Sequence, residues 1–215
     1  MNHISELAQL GTSTWLDDLS RERLVSGNLK EIISTKSIVG VTTNPAIFAA
    51  AMTNGTAYDA ELATLKESKA SADEAVYALA IEDVQNACDL FADIYSSTDG
   101  ADGRVSIEVD PRISDDPTAT LEQARELWSK VDRPNVMIKI PATTGSLPAI
   151  EDALAEGISV NVTLIFSVER YRAVIEAFRT GLKRAAESGK DVATIHSVAS
   201  FFVSRLDTEV DKRLG

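Results

Sequence analysis

The sequence has little cysteine and no long apolar run, and each shortage excludes a class of protein. One cysteine, Cys88, in 215 residues leaves no intrachain disulfide framework and fits a reducing compartment. The longest apolar run, Pro45 to Met52, is far too short to span a bilayer. The N-terminus lacks the basic flank and apolar core of a signal peptide. We therefore expect a cytoplasmic protein that does not act at a membrane.

Positive charge is also scarce. Lysine and arginine number 21 against 33 aspartates and glutamates, a net charge of -12, which argues against nucleic-acid binding. A phosphorylated ligand would need a local arginine or a helix N-terminus to reverse this field. The chain is 44% hydrophobic and has no repeat or linker, so we expect one soluble domain over residues 1–215. The oligomeric state does not follow from the sequence.

Six strand-like segments alternate with helical ones, which is typical of a parallel sheet with helices outside it. Between the second and third strands, residues 54–102 are predicted to form a helical insertion. The predicted strands are 12–17, 37–43, 104–110, 136–140, 159–165 and 194–198. The other predicted helices are 3–10, 20–35, 46–52, 118–131, 147–156, 168–188 and 204–214.

Polar residues at strand ends decide between two architectures. A doubly wound sheet needs a glycine-rich turn after its first strand, and residues 16–20 contain no glycine. A (β/α)8 TIM barrel predicts functional side chains at the C-terminal ends of several strands, and such residues follow at least five of them. We therefore predict a (β/α)8 barrel. Since a barrel needs eight strands, the last two βα units are expected beyond Gly215.

Lys139 stands inside the apolar run 136–140, and alternation places Met137, Lys139 and Pro141 on one face of that strand. Desolvation disfavours a charged ammonium and lowers the pKa of a buried lysine, which produces an amine able to attack a carbonyl and form a Schiff base. A lysine at a strand end can also reach solvent or pair with a carboxylate. The strand alone leaves both interpretations open.

Two longer segments, Gly40–Phe48 and Val136–Ser146, resemble the two signature segments of the transaldolases. Shorter segments that resemble strand ends of that family follow in family order, at 15–17, 105–110, 161–167 and 200–205. The helical insertion is similar to that of the longer bacterial and plant-like branch. The resemblance implies transfer of a dihydroxyacetone unit from sedoheptulose 7-phosphate or fructose 6-phosphate to an aldose phosphate, without metal or other cofactor. It places the chain in the pentose phosphate pathway, with sugar phosphates as its partners.

The resemblance also implies catalytic roles. Lys139 would form the Schiff base, and Asp17 would take the proton of the C4 hydroxyl during carbon–carbon cleavage. Glu108 would act through a water, together with Thr163, while the carbinolamine forms and loses water. Asp18 is the alternative base, because alternation aims Asp17 and Asp18 at opposite faces but does not prove the register.

Three further residues would bind substrate. Asn44 and Ser200 match positions that bind the dihydroxyacetone hydroxyls, and Arg205 matches a phosphate-binding arginine. Arg205 could instead pair with Asp207 or Glu209 on its own helix. By the same resemblance, a second phosphate-binding basic residue would lie beyond Gly215.

Several other polar residues are interpreted as structural. Thr43 is expected to be an ordinary strand residue, Asp110 a helix or loop cap, and His196 and Cys88 core residues. Two other functions remain open: a Schiff-base aldolase on the same barrel that releases free dihydroxyacetone, and an inactive barrel fragment that serves as a scaffold.

Overall fold

The structure is a computed structural model that describes residues 3–53 and 56–215. Its six strands form one sheet in which they follow one another in chain order. The pairs β1–β2, β2–β3, β4–β5 and β5–β6 are parallel. The strands are β1 (Trp15–Leu16), β2 (Gly40–Val41), β3 (Arg104–Glu108), β4 (Val136–Pro141), β5 (Val160–Ile165) and β6 (Ser197–Phe201).

At least one helix lies in every connection between consecutive strands, so the described chain contains six βα units in the order of a (β/α)8 barrel. The predicted fold class is confirmed. The helices are α1 (His3–Gln9), α2 (Arg21–Val25), α3 (Asn28–Lys36), α4 (Pro45–Thr53), α5 (Asp59–Glu67), α6 (Ala72–Leu90), α7 (Ala92–Ser97), α8 (Pro117–Val131), α9 (Leu147–Ala155), α10 (Val168–Glu187) and α11 (Val203–Leu214).

Several sequence predictions are wrong in detail, and the strands expected over 12–17 and 37–43 are only Trp15–Leu16 and Gly40–Val41. The helix expected over 20–35 is two helices, because Gly27 adopts φ +78° and interrupts the helical backbone after α2. The strand expected over 194–198 is Ser197–Phe201 instead. The residues before it form a 3₁₀ turn, Val192–Thr194, because the Asp191 side chain accepts a hydrogen bond from the Ala193 backbone and favours a turn there.

The chain comprises two compact units. One runs to Ile107 and includes Ser129–Val136, and the other is made of Glu108–Trp128 and Met137–Gly215. Single-domain organisation over 1–215 stays a prediction. Of the predicted insertion, residues 54 and 55 lie outside the described residues, and the rest contains α5, α6 and α7.

The first unit has its core on α6. This helix begins with a capping box, in which Ser71 and Glu74 bind each other's backbone N–H groups, and it buries Leu79, Val84 and Cys88 at helical spacing.

The second unit is built around β4 and β5. Every residue of β4 is buried, and α9 and α10 bury apolar residues on one face each. No helix within residues 3–53 and 56–215 is long and apolar enough to cross a membrane.

Candidate active site

Lys139 lies in the middle of the buried strand β4, and only 7% of the residue is exposed. Its side chain is 8% exposed. Nζ lies 3.8 Å from Oε2 of Glu108, the last residue of β3. The lysine is therefore buried, as the Schiff-base interpretation requires. It also lies beside a carboxylate, as the alternative interpretation expects.

Glu108 links the amine to a hydroxyl. Its second oxygen, Oε1, accepts a hydrogen bond of 3.3 Å from Thr163 Oγ1, and Thr163 is 3% exposed. The backbone sets this arrangement: Val109 N–H donates to the Lys139 carbonyl, and Pro141 is the register partner of Thr163. An amine, a carboxyl group and a hydroxyl thus share one buried site, where a carboxyl group can move protons to and from a reacting amine.

Asn161 is a site residue that our sequence interpretation missed. It is the register partner of Lys139 on β5, is 2% exposed, and accepts a 2.9 Å hydrogen bond from Ser200 Oγ at Oδ1. Since paired residues of parallel strands face the same side, Asn161 lies on the face of Lys139. Alternation from Thr163 along β5 was the signal that could have found it.

The pairing of β5 with β6 is irregular next to Thr163. The β5–β6 register shifts between Val162 and Ile165, and Leu164 adopts φ +59° with 40% of the residue exposed. A left-handed conformation costs a leucine about 1–2 kcal/mol. Strain of this kind is found where a strand must redirect a side chain. Here the strained residue follows Thr163, whose hydroxyl contacts Glu108.

In the first unit, Asp17 and Asp18 follow β1 and differ in their contacts. The Asp18 carboxylate accepts hydrogen bonds from Arg23 Nε at 2.8 Å and Nη2 at 2.5 Å. Asp17 is exposed, and its carboxylate makes no hydrogen bond or ion pair within the described part of the chain. A base needs a carboxylate that is not already held by a cation, and Asp17 meets this requirement better than Asp18.

Asn44 lies with Asp17 on the wall of a cavity of about 460 Å³ in the first unit. Its Oδ1 accepts a 3.0 Å hydrogen bond from Ile47 N–H and so caps α4. The cap leaves the amide N–H groups of the side chain available as donors.

Arg205 lies on the exposed helix α11. Its guanidinium carbon is 4.9 Å from the centroid of the Phe202 ring, a cation–π contact. Among residues 3–53 and 56–215 it has no ion-pair partner, and Glu209 binds Arg213 instead at 2.8 Å. The alternative in which Arg205 pairs with Asp207 or Glu209 is wrong.

Comparison with known proteins decides the family. The sequence profile described as Transaldolase/Fructose-6-phosphate aldolase matches residues 14–215. The chain belongs to this transaldolase family. The predicted resemblance is thereby confirmed.

Named relatives agree. The chain is 60% identical over 209 residues to a protein named Transaldolase from Kocuria rhizophila. The matched region covers 97% of this chain and 57% of that protein. It is 59% identical to the Transaldolase of Mycolicibacterium smegmatis and 58% identical to that of Thermobifida fusca, each over 212 residues and 99% of this chain. The chain spans 57% and 58% of these two relatives, respectively.

The polar residues at the end of the second signature segment, Thr143 to Ser146, hold two loops together. The carbonyl oxygen of Ser114, after β3, accepts hydrogen bonds from Thr143 Oγ1 at 2.5 Å and from Ser146 Oγ. Between them, Gly145 passes so close to Asp115 that a Cβ would lie 2.5 Å from its carbonyl oxygen. These contacts hold the loop after β4 against the loop after β3, the two strands that carry Lys139 and the glutamate beside it.

Of the three residues Thr43, Asp110 and His196, which were expected to be structural, the side chains of the first two make structural contacts. Thr43 is buried and donates to the Ser106 carbonyl at 2.7 Å. Asp110 caps a 3₁₀ turn, and hydrogen bonds from Arg112 lower the pKa of its carboxyl group. His196 is half-buried, and its backbone N–H donates to Ser159 Oγ.

Cys88 is fully buried, and burial raises the pKa of its thiol, so it is a core residue. Within the described ranges, no group of three or more His, Cys, Asp or Glu side chains is placed to hold a metal ion.

Proposed function

We propose that this chain carries the catalytic lysine of a transaldolase that transfers a dihydroxyacetone unit between sugar phosphates. The observation that carries the proposal is the contact of Glu108 with both Lys139, at 3.8 Å, and Thr163, at 3.3 Å, in a buried site of a transaldolase-family chain. The donor would be sedoheptulose 7-phosphate and the acceptor glyceraldehyde 3-phosphate, which yield erythrose 4-phosphate and fructose 6-phosphate in the pentose phosphate pathway.

Schiff-base formation is the first step. The neutral amine of Lys139 attacks the ketose carbonyl carbon, a C–N bond forms, and the carbonyl oxygen takes up a proton to give a carbinolamine. Glu108, 3.8 Å from Nζ, can accept the proton of the amine and return it to the hydroxyl that leaves as water. The Thr163 hydroxyl holds that carboxylate in place and can hold the water through which the proton travels.

Carbon–carbon cleavage follows on the iminium. Asp17 removes the proton of the C4 hydroxyl, the C4 oxygen forms a carbonyl, and the electrons of the C3–C4 bond pass into the iminium to give an enamine. The aldose product leaves. The enamine carbon then attacks the acceptor aldehyde, whose oxygen takes the proton back from Asp17, and water hydrolyses the new iminium to free the lysine.

The remaining residues would hold the substrate. Asn161, Ser200 and Asn44 supply hydrogen-bonding groups for the dihydroxyacetone hydroxyls, which keeps the enamine bound until the acceptor arrives. Arg205 has no carboxylate partner in the described chain, so its charge is available for a phosphate in a protein of net charge -12.

Borohydride reduction in the presence of fructose 6-phosphate tests the proposal. We expect a three-carbon adduct on Lys139, found by mass spectrometry of peptides. The Lys139→Ala variant should lose the adduct and keep its far-UV circular dichroism, whereas Lys183→Ala, at an exposed lysine, should keep both. A folded wild-type protein without an adduct, or an adduct that persists in Lys139→Ala, contradicts the proposal.

Transfer and simple aldol cleavage differ in their products. With fructose 6-phosphate alone, a transaldolase holds the three-carbon unit on the lysine, while an aldolase releases free dihydroxyacetone continuously. We expect a single stoichiometric release of glyceraldehyde 3-phosphate and little dihydroxyacetone. Continuous dihydroxyacetone formation would assign the chain to the aldolase side of the family.

A further inference from the structure

Three carboxylates surround the buried guanidinium of Arg21, the first residue of α2: Asp83 is fully buried, and Glu61 and Glu82 are partly exposed. Its guanidinium Nε donates to Asp83, Nη1 donates to Glu61 Oε1 at 2.5 Å, and Nη2 lies 3.2 Å from Glu82 Oε2. Burial acts against the charge of Arg21, but the three carboxylates outweigh it and raise the pKa of the guanidinium. All three acids lie on α5 and α6, within the helical segment between β2 and β3.

Tyr58 connects this group to the backbone. Its hydroxyl accepts a 2.8 Å hydrogen bond from the Arg21 backbone N–H and donates at 2.7 Å to Asp83 Oδ2. Tyr58 is 2% exposed. Burial, followed by the hydrogen bond to Asp83, raises the pKa of the phenol well above its ordinary value, so the hydroxyl keeps its proton and can serve both partners.

The anchored backbone N–H is close in sequence to Asp17. The first N–H groups of a helix have no partner within the helix, and Tyr58 supplies one for Arg21. Asp17 follows β1, so the segment 17–20 is held by the sheet at one end and by Tyr58 at the other. Asp17 and Tyr58 line the same cavity of about 460 Å³.

We propose that Tyr58, held by Asp83, is a positioning residue that sets the place of the Asp17 carboxylate through the Arg21 backbone. The inference rests on the proposed function, in which Asp17 is the base of the cleavage step. It assigns a role in the reaction to the helical segment between β2 and β3. In this role Tyr58 does not contact the substrate, because it acts through the backbone and not on the reacting atoms.

Tyr58→Phe tests this role with the loss of one oxygen atom. Because a misplacement of about 1 Å can cost about 10²-fold in rate, we expect turnover per borohydride-trappable site to fall by about 10- to 100-fold. The number of trappable sites and the rate of trapping should stay within about twofold, because Lys139 is not part of this group. A purely structural defect would lower the number of trappable sites and leave turnover per trapped site unchanged, since unfolded molecules neither trap nor turn over.

Tyr95→Phe is the matched control. Tyr95 lies in the same helical segment, on α7, and its ring rather than its hydroxyl contacts Arg104. This variant should keep wild-type turnover per trapped site. If Tyr58→Phe behaves like Tyr95→Phe, the inference is wrong.

The double variant separates this inference from the proposed function. If Tyr58 acts through Asp17, Tyr58→Phe should add no further loss in the Asp17→Asn background, whereas independent effects would multiply. Full additivity overturns the inference and leaves the proposed function standing. Wild-type turnover in Asp17→Asn, or no trapping at Lys139 in the wild-type protein, overturns both.

Glu61→Gln provides the same test at a half-exposed partner of Arg21, should Tyr58→Phe not fold. It should lower turnover per trapped site in the same direction, and an unchanged value contradicts the inference.

Discussion

The substitution Thr163→Val removes one hydroxyl from the buried site and keeps the β-branched shape of the side chain. The hydroxyl donates to Glu108 Oε1 at 3.3 Å, and the other oxygen of that carboxylate lies 3.8 Å from Lys139 Nζ. Valine suits the strand conformation of β5, so the fold and the β5 register should not change. The change therefore tests the link between the hydroxyl and the carboxylate alone.

The size of the effect follows from the distance. Hydrogen bonds to charged groups contribute about 1.5–3 kcal/mol to stability, and strong ones between a hydroxyl and a carboxylate measure about 2.5–2.7 Å. The contact of Thr163 is longer, at 3.3 Å, so we expect a loss of about 1 kcal/mol in the free energy of unfolding. If the contact tightens as Glu108 exchanges protons with the amine, about 1–2 kcal/mol of transition-state stabilisation is lost, and Schiff-base formation slows about 5- to 30-fold.

Two assays measure these quantities. Urea unfolding gives the free energy of unfolding and should show an unchanged m value. Rapid mixing with fructose 6-phosphate followed by a borohydride quench gives the rate at which Lys139 becomes trapped. Thr120→Val is the matched control, because Thr120 is also fully buried and donates its hydroxyl at 3.0 Å, but to the Ile113 carbonyl.

We expect the control to lose stability and to keep the wild-type trapping rate. A wild-type trapping rate in Thr163→Val would refute the assignment of Thr163 to Schiff-base formation, even if the variant were less stable.

Three further predictions concern stability and reactivity. Gly145→Ala places a Cβ 2.5 Å from the backbone oxygen of Asp115, so the loop must shift. Urea unfolding should show a loss of about 1–3 kcal/mol in the free energy of unfolding. Wild-type stability would mean that the close approach is not required. Because Arg112 lowers the pKa of Asp110, the unfolded state binds the proton more tightly, and the stabilisation is present above about pH 4 and lost as the pH falls through the lower native value. Asp110→Asn should therefore cost about 0.5 kcal/mol at neutral pH and less as the pH falls below about 4, and an equal cost across this range would contradict the ion pair. The Cys88 thiol should react with a disulfide reagent only as fast as the protein opens, so fast labelling under native conditions would contradict its burial.

The alternation of side chains made much of this chain predictable. Because parallel strands meet at one edge with their C-terminal ends, polar residues at the ends of five strands, together with the lack of a glycine-rich turn after the first, predicted a barrel with these groups at one end. The burial of Cys88 followed from spacing within a helix. The catalytic roles of these polar residues stay predictions.

Alternation states which face a side chain takes, but not which residue of the next strand lies beside it. The register depends on backbone hydrogen bonds between residues far apart in sequence, such as Val109 N–H to the Lys139 carbonyl, and no local pattern encodes them. For this reason the pairing of Asn161 with Lys139 was not predicted, although alternation from Thr163 indicates the face on which Asn161 lies. The position of Arg205 over Phe202 instead of beside a carboxylate also depends on packing that spacing does not reveal.

The sequence by itself determined that a lysine would occupy a buried strand of a six-strand parallel sheet and that carboxylates would follow neighbouring strands, because side-chain period and strand order are local properties. The tertiary structure decided that Glu108 contacts both Lys139 and Thr163 and that Tyr58 anchors the backbone after Asp17. These contacts join residues 31, 55 and 37 positions apart in sequence, respectively, so only the packing of distant elements could set them.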